Sequence, residues 1–315
     1  MEYIVLFILF IAIELIYFKI ADKFDIIDKP NARSSHTAVT LRGGGIIFPV
    51  AVIIACFLGY VSWEIAVAVT LVGTISFIDD IKPLSQWPRF ASHVIAVSLV
   101  FYDLNLFSEA IWLLPIIFVL MIGWMNAFNF MDGINGITVL YSLIAILSFA
   151  VLPVNQVDLP LLITMGLSGL VFGIFNVRKK AKTFAGDVGS ISMALFLGFL
   201  MIKTIIETQQ LGFILFFSVY GIDAVITIIN RLTKRENIFQ AHRSHLYQYL
   251  ANEKGLPQVL IAISYALIQL FINVSVIYMD KISCLSIYVV GLLLASFTLI
   301  YIVIRKLVLR QIDIK

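Results

Sequence analysis

Long apolar runs alternate with short polar loops from one end of the chain to the other. The runs lie near 3–20, 44–62, 65–78, 91–107, 110–128, 134–152, 160–177, 188–206, 211–230, 257–279 and 283–304, and each is nearly free of charge. A helix that crosses a bilayer needs roughly 20 mostly apolar residues. Lipid offers no partner to an unpaired backbone group, so a spanning run is read as a helix. The pattern therefore predicts an all-α, polytopic integral membrane protein with about 11 transmembrane helices. The run at 65–78 is short and has to borrow length from its flanks. No linker, repeat or low-complexity tract interrupts the pattern, so residues 1–315 read as a single transmembrane domain.

The loops alternate in charge. One set carries Lys23, Lys29, Arg33 and Arg42, then Lys82 and Arg89, then Arg178, Lys179, Lys180 and Lys182, then Arg231, Lys234, Arg235, Arg243 and Lys254. The tail adds Arg305, Lys306, Arg310 and Lys315, whereas the other set holds only Lys281, with Lys203 nearby. Basic loops stay on the cytoplasmic side. An odd number of crossings then puts the N-terminus outside and the C-terminus in the cytoplasm. The first run ends at Lys19 with no basic leader and no small-residue cleavage site, so it reads as a retained span. The outer loops are short, which confines any chemistry to the cytoplasmic loops and span ends.

Composition removes the soluble alternative. Hydrophobic residues make up 61% of the chain and charged residues 13%, against roughly half and a quarter in soluble domains. Cys56 and Cys284 have no metal-ligand spacing and read as isolated thiols.

Polar residues collect at the inner ends of the runs. Asp79-Asp80 closes the third run, and neighbours on a helix point in different directions, so the two carboxylates are expected to do different jobs. Asn126, Asn129 and Asp132 follow at steps of three along one drifting helix face, with Gly133 and Gly136 behind them. Phe184-Ala185-Gly186-Asp187-Val188-Gly189-Ser190 opens a helix whose free N–H groups suit phosphate. His242-Arg243-Ser244-His245 lies in the longest inner loop, and His36 through Arg42-Gly43-Gly44-Gly45 precedes the second run. Carboxylates gathered on one face repel, so a hard cation is their natural partner. Oxygen ligands without thiolates suit Mg²⁺, with Mn²⁺ as an alternative. Basic residues beside such a site suit a diphosphate, and an apolar body suits a substrate that lives in the bilayer. Nothing in the pattern calls for nucleic acid.

These segments resemble, in content and order, the polyprenyl-phosphate N-acetylhexosamine-1-phosphate transferases (glycosyltransferase family 4). The matching set is Asp28-Lys29-Pro30-Asn31-Ala32-Arg33 with His36, Arg42-Gly43-Gly44-Gly45, Asp79-Asp80, Asn126-Ala127-Phe128-Asn129-Phe130-Met131-Asp132-Gly133, Gly186-Asp187-Val188-Gly189-Ser190 and the histidine loop. The resemblance implies an Mg²⁺-dependent phosphotransferase of a bacterial inner membrane. It would join the sugar phosphate of a UDP-N-acetylhexosamine to undecaprenyl phosphate and release UMP. The catalytic residues it implies are Asp79, Asp80, Asp132 and Asp187, with Asp187 and Asp80 on the metal. Substrate contacts would come from His36, Arg42, Arg89, Asn126, Asn129, Asn176, Phe184, His242, Arg243 and His245. Phe184 would stack on uracil, and Arg89 would hold the lipid phosphate. The form His242-Arg243-Ser244-His245-Leu246-Tyr247-Gln248 is sparser in histidine than in muramyl-peptide transferases. It is similar to enzymes that initiate O-antigen or related surface polysaccharides. A homodimer is compatible with this reading.

Two rivals remain at this stage. A secondary transporter would place its polar groups at midplane, often with inverted repeats, and neither is seen. A CDP-alcohol phosphatidyltransferase would continue Asp132-Gly133 with Ala-Arg, where this chain has Ile134-Asn135.

Overall fold

The computed structural model describes residues 1–30, 35, 38–109, 111–237 and 242–313. Each predicted run is a helix. In chain order they are α1 (Glu2–Lys23), α2 (Ile47–Phe57), α3 (Trp63–Ile81), α4 (Gln86–Asp103), α5 (Leu114–Phe130), α6 (Ile137–Ala150), α7 (Leu159–Asn176), α8 (Gly186–Thr208), α9 (Ser218–Thr233), α10 (Gln258–Lys281) and α11 (Ile287–Asp313). Among the described residues, six helical stretches are long and apolar enough to cross a bilayer unaided: Glu2–Lys23, Pro153–Asn176, Gly186–Thr208, Leu211–Thr233, Gln258–Lys281 and Ile287–Ile312. Gly44–Phe57, Leu114–Phe130 and Ile137–Ala150 are equally apolar but shorter. The remaining two, α3 and α4, carry Asp79, Asp80, Gln86, Arg89 and His93, which lowers their hydropathy where they approach the site.

Helix α8 lies at the centre, with 78% of its apolar window buried, against 6% for α11 at the periphery. Small residues bring α8 into contact with the start of α2. A Cβ added to Gly45 would stand 2.7 Å from the Ala185 carbonyl oxygen, and one added to Gly189 would stand 2.7 Å from Gly45 Cα. The backbone there is zipped together: Gly44 N–H donates to Phe184 O at 2.9 Å, and Gly45 N–H to Ala185 O at 3.1 Å. A two-residue antiparallel pair, β1 (Ile27–Asp28) with β2 (Thr40–Leu41), leads into this turn.

One helix break lies deep in the bundle. The 3₁₀ turn Leu211–Phe217 runs into α9, and Gln269 on α10 satisfies the loosened backbone. Its Oε1 accepts from Val219 N–H at 3.0 Å and from the Tyr141 hydroxyl at 2.8 Å, while its Nε2 donates to Leu215 O at 2.9 Å. Irregular backbone survives at this depth only when such partners exist.

Candidate active site

A cavity of about 340 Å³ opens where helix ends meet. Odd-numbered α5 and α7 reach it by their C-terminal ends, through Asn129 and Asn176. Even-numbered α2, α6, α8 and α10 reach it by their N-terminal ends, through Arg42, Asn135, Asp187 and Gln258. Asp79 and Asp80 at the end of α3 and Arg89 at the start of α4 stand behind the lining, where Asp80 and Arg89 contact Arg42 and Asp187.

The adjacent aspartates face different partners. Asp80 has a fully buried side chain, with Oδ1 at 2.7 Å from Arg42 Nη2. It also accepts the N–H of Asp187 on Oδ1 at 3.1 Å and that of Val188 on Oδ2 at 3.2 Å. The carboxylate thus caps the first turn of α8, matching charge to the positive end of the helix dipole. This corrects one expectation: those N–H groups are taken by Asp80 and do not stand free for phosphate. Both Asp80 oxygens are already engaged, which makes it an anchor of the site. Gly186 makes room for the cap. Its φ is +69°, and a Cβ would stand 2.5 Å from Asp80 Oδ2. Asp79 turns the other way, accepting from Leu84 N–H at 2.6 Å on Oδ1 and pairing through Oδ2 with Arg89 Nη1 at 3.2 Å.

Like Asp28 and Asp132, Asp187 faces the cavity. Arg42 Nη2 lies 3.9 Å from its Oδ1, and Arg89 Nη2 lies 3.7 Å from its Oδ2. At those distances the guanidinium groups neutralise it without saturating its oxygens. Asn129, on the last turn of α5, accepts from Ser190 Oγ at 2.6 Å, which ties α5 to α8. Asp132 lies beyond the end of α5, in the turn to α6, and so leaves the helix face expected for it. Thr138 Oγ1 donates to Asp132 Oδ1 at 2.5 Å. Burial pushes the Asp132 carboxyl up to about 6, with the Thr138 bond opposing the rise.

Arg42, Asn129, Asp132, Asn176, Phe184 and Asp187 all line the cavity, as their motifs suggested. Asn176 does so with both ends of its amide committed: Oδ1 accepts from Gly136 N–H at 2.8 Å and Nδ2 donates to Thr183 O at 2.8 Å. It shapes the wall. Asn126 sits one turn back on α5, donates to Ile122 O at 2.9 Å and is outside the lining.

The histidine loop flanks the cavity without lining it. His245 is 1% exposed, with Nδ1 at 2.9 Å from Asp223 Oδ1. The His242 ring packs edge-on to Phe130 at 5.9 Å, and burial lowers its imidazole to about 4, helped by the charges of His245 and Arg231. Arg243 pairs with Glu253 at 3.1 Å. His36 lies outside the described residues.

The far end of the cavity was not foreseen. Ser35, Asn135, Gln248 and Gln258 form a largely uncharged, hydrogen-bonding wall. Gln258 accepts from Asn135 N–H at 3.0 Å and donates to the Ser35 carbonyl. The available signals were faint: a glutamine directly after Pro257 at a helix start, and an asparagine between two motif glycines. The site therefore has a charged end at Arg42, Arg89 and Asp187 and a neutral amide end opposite. That suits a ligand with phosphate at one end and hydroxyl or amide groups at the other.

The family model described as glycosyl transferase family 4 matches residues 62–205, which hold Asp79, Asp80, Asn129, Asp132 and Asp187. The chain is 35% identical over 154 residues to a phospho-N-acetylmuramoyl-pentapeptide-transferase of Streptococcus mutans, covering 41% of this chain and 45% of that one. It is 33% identical over 146 residues to the protein of the same name from Lactococcus lactis, covering 44% and 43%. The match thus spans less than half the length of these two relatives. A longer match, 23% identical over 258 residues and covering 74% and 71%, is to a probable undecaprenyl-phosphate N-acetylglucosaminyl 1-phosphate transferase of Bacillus subtilis. With the ordered motifs folded together around one cavity, the chain carries a region of glycosyl transferase family 4 at residues 62–205 and is similar to polyprenyl-phosphate hexosamine-1-phosphate transferases.

Proposed function

We propose that this protein transfers an N-acetylhexosamine-1-phosphate from a UDP-sugar to undecaprenyl phosphate or a similar polyprenyl phosphate. The products are the polyprenyl-diphospho-sugar and UMP. The reaction would initiate O-antigen or another cell-surface polysaccharide at the cytoplasmic face of a bacterial inner membrane. The observation that carries it is Asp187, a cavity-lining carboxylate between Arg42 and Arg89 on a cavity with one charged and one neutral end. Alternation of C-terminal and N-terminal helix ends around the cavity supports eleven crossings, and the basic loops at those ends support a cytoplasmic site with the N-terminus outside.

Phe184 would meet the base, and Arg42 the diphosphate. Arg89, at the start of α4 beside the exposed Trp87 and Phe90, would hold the acceptor phosphate arriving from the bilayer. An acceptor phosphate oxygen attacks the β-phosphorus of the donor, the bond to the bridging oxygen breaks, and UMP leaves. A phosphate monoester has its second pKa near 6, so the nucleophile is largely ionised without a general base. Asp79 then positions Arg89 and does not need to take a proton.

Among the described residues no group of three or more His, Cys, Asp or Glu forms a ready-made metal cage. The cavity does offer Asp187, Asp132 and Asn129, an all-oxygen donor set of the kind that holds Mg²⁺ together with substrate phosphate oxygens. Asp187 is the residue assigned to hold it, and when bound the cation would neutralise the diphosphate.

The test is UMP release by purified protein with polyprenyl phosphate, Mg²⁺ and a panel of UDP-sugars. The panel includes UDP-N-acetylmuramoyl-pentapeptide, because two relatives bear the muramoyl-pentapeptide name. Release with an N-acetylhexosamine donor is expected. Release with the pentapeptide donor alone would move the protein to that substrate, and release with none, beside an active control enzyme, would overturn the proposal.

A further inference from the structure

Asp223 is a carboxylate with no exposure, midway along α9. An ionisable group at such depth is costly and calls for a reason. Five donors surround it. His245 Nδ1 lies 2.9 Å from Oδ1, the Tyr301 hydroxyl donates to Oδ1 at 3.0 Å, the Thr227 hydroxyl at 3.3 Å and the Leu246 N–H at 3.4 Å, and the Tyr265 hydroxyl donates to Oδ2 at 2.8 Å. Arg305 adds a second grip, donating from Nη2 to the Ser244 carbonyl at 3.0 Å. Helices α9 and α11 thus hold the same three residues, 244–246, while Tyr265 on α10 steadies Asp223 itself. An ionised carboxylate only accepts, so His245 has to carry its proton on Nδ1.

The next two residues lead to the cavity. Tyr247 is fully buried, and its hydroxyl donates to the Phe130 carbonyl at 2.9 Å. It packs so closely on Gly133 that a Cβ there would stand 3.0 Å from Tyr247 Cζ. Gln248 lines the cavity, and its Oε1 accepts the His245 N–H at 3.2 Å. Phe130 follows Asn129, and Gly133 follows Asp132. A continuous path of bonds and contacts therefore runs from Asp223 through His245 and Tyr247 to the turn that carries Asn129 and Asp132.

We propose that Asp223 is a positioning residue, which acts through His245 and Tyr247 to hold Asn129 and Asp132 in register with Asp187. The kinetic consequence rests on the transferase reading given above, whereas the anchoring itself does not.

The experiment is a double-mutant cycle on the full chain, read by UMP release. Asp223→Asn keeps the volume but removes one acceptor oxygen, and Tyr247→Phe removes only the hydroxyl. Each is expected to lower kcat about tenfold, the scale of one buried hydrogen bond, with donor KM changed less than about threefold. The double variant should fall no further than the worse single variant, because the same path is cut twice. A multiplicative loss, or a wild-type rate in either single variant, would overturn the proposal. Nitrogen-15 NMR of histidine-labelled wild-type protein supplies a readout that needs neither activity nor a folded variant: the His245 Nδ1 is expected to be protonated. A bare Nδ1 would also overturn it. If the wild-type protein releases no UMP with any donor, the transferase reading fails, while the NMR result still decides the anchor.

Discussion

Asp80 gives its carboxylate to the backbone of Asp187, accepting that residue's N–H at 3.1 Å and the N–H of Val188 at 3.2 Å. Asp187, one side chain away, keeps its own oxygens toward the cavity. The same residue type therefore serves as a helix cap in one place and as a candidate ligand in the other. Asp80→Ala should lower the thermal midpoint, since losing a cap costs about 0.5–2 kcal/mol. Asp187→Asn should leave the midpoint in place and abolish UMP release. Thermal denaturation in detergent beside the turnover assay separates them, and equal midpoint shifts would contradict the division of roles.

Asp132 should show stability traded for function. Its carboxyl is raised by burial from 3.8 to about 6. Stability associated with its neutral form is fully present below about pH 4 and lost as pH rises through 6. Asp132→Asn stays neutral and can still accept from Thr138. Its midpoint should exceed wild type at pH 8, by at most about 3 kcal/mol in stability, and converge with it near pH 4, with turnover lost throughout. A midpoint below wild type at pH 8 would count against the burial argument.

His242 responds to pH in the opposite sense. Burial lowers it from 6.5 to about 4, so the unfolded chain binds the extra proton first as pH falls. Its contribution to stability is present above about pH 6.5 and declines toward pH 4. The wild-type midpoint should therefore drop more steeply than that of His242→Gln between pH 7 and 5. Parallel curves would show that the ring is solvated.

Two glycines make a matched pair for a packing test. Gly45→Ala would bring a methyl group to 2.7 Å from Ala185 O, where neither backbone can move apart cheaply. Overpacking of that kind costs about 1–3 kcal/mol. At Gly123 on α5 a Cβ would meet nothing within 4 Å, so Gly123→Ala should keep or raise the midpoint. Melting curves of the two variants check both, and equal tolerance would contradict the close α2–α8 contact.

Much of this was legible along the chain. Each apolar run is a helix, and Asn129, Asp132 and Asp187, singled out by their motifs, line one cavity. What escaped notice depends on partners far apart in sequence. The cap by Asp80 exists only because α3 meets the start of α8, more than a hundred residues on. His245 reads as an ordinary loop histidine until Asp223, a lone carboxylate in an apolar run, folds against it. Asp132 belonged by spacing to the face of Asn126 and Asn129, but α5 stops at Phe130 and the turn carries it elsewhere. Individual helix lengths were legible only in part, because polar residues that build the site shorten the apolar windows of their own helices.

The tie from Gln258 to Asn135 and the Ser35 carbonyl has a consequence for how the protein is made. Synthesis delivers Asp80, Asp132 and Asp187 to the membrane long before Gln258 leaves the ribosome. Until α10 enters, the neutral wall of the cavity has no brace, and the earlier helices present their carboxylates to an unfinished chamber. A chain stalled after α8 would thus hold the acidic residues without the means to enclose a nucleotide sugar. Competence arrives late, no sooner than the tenth helix.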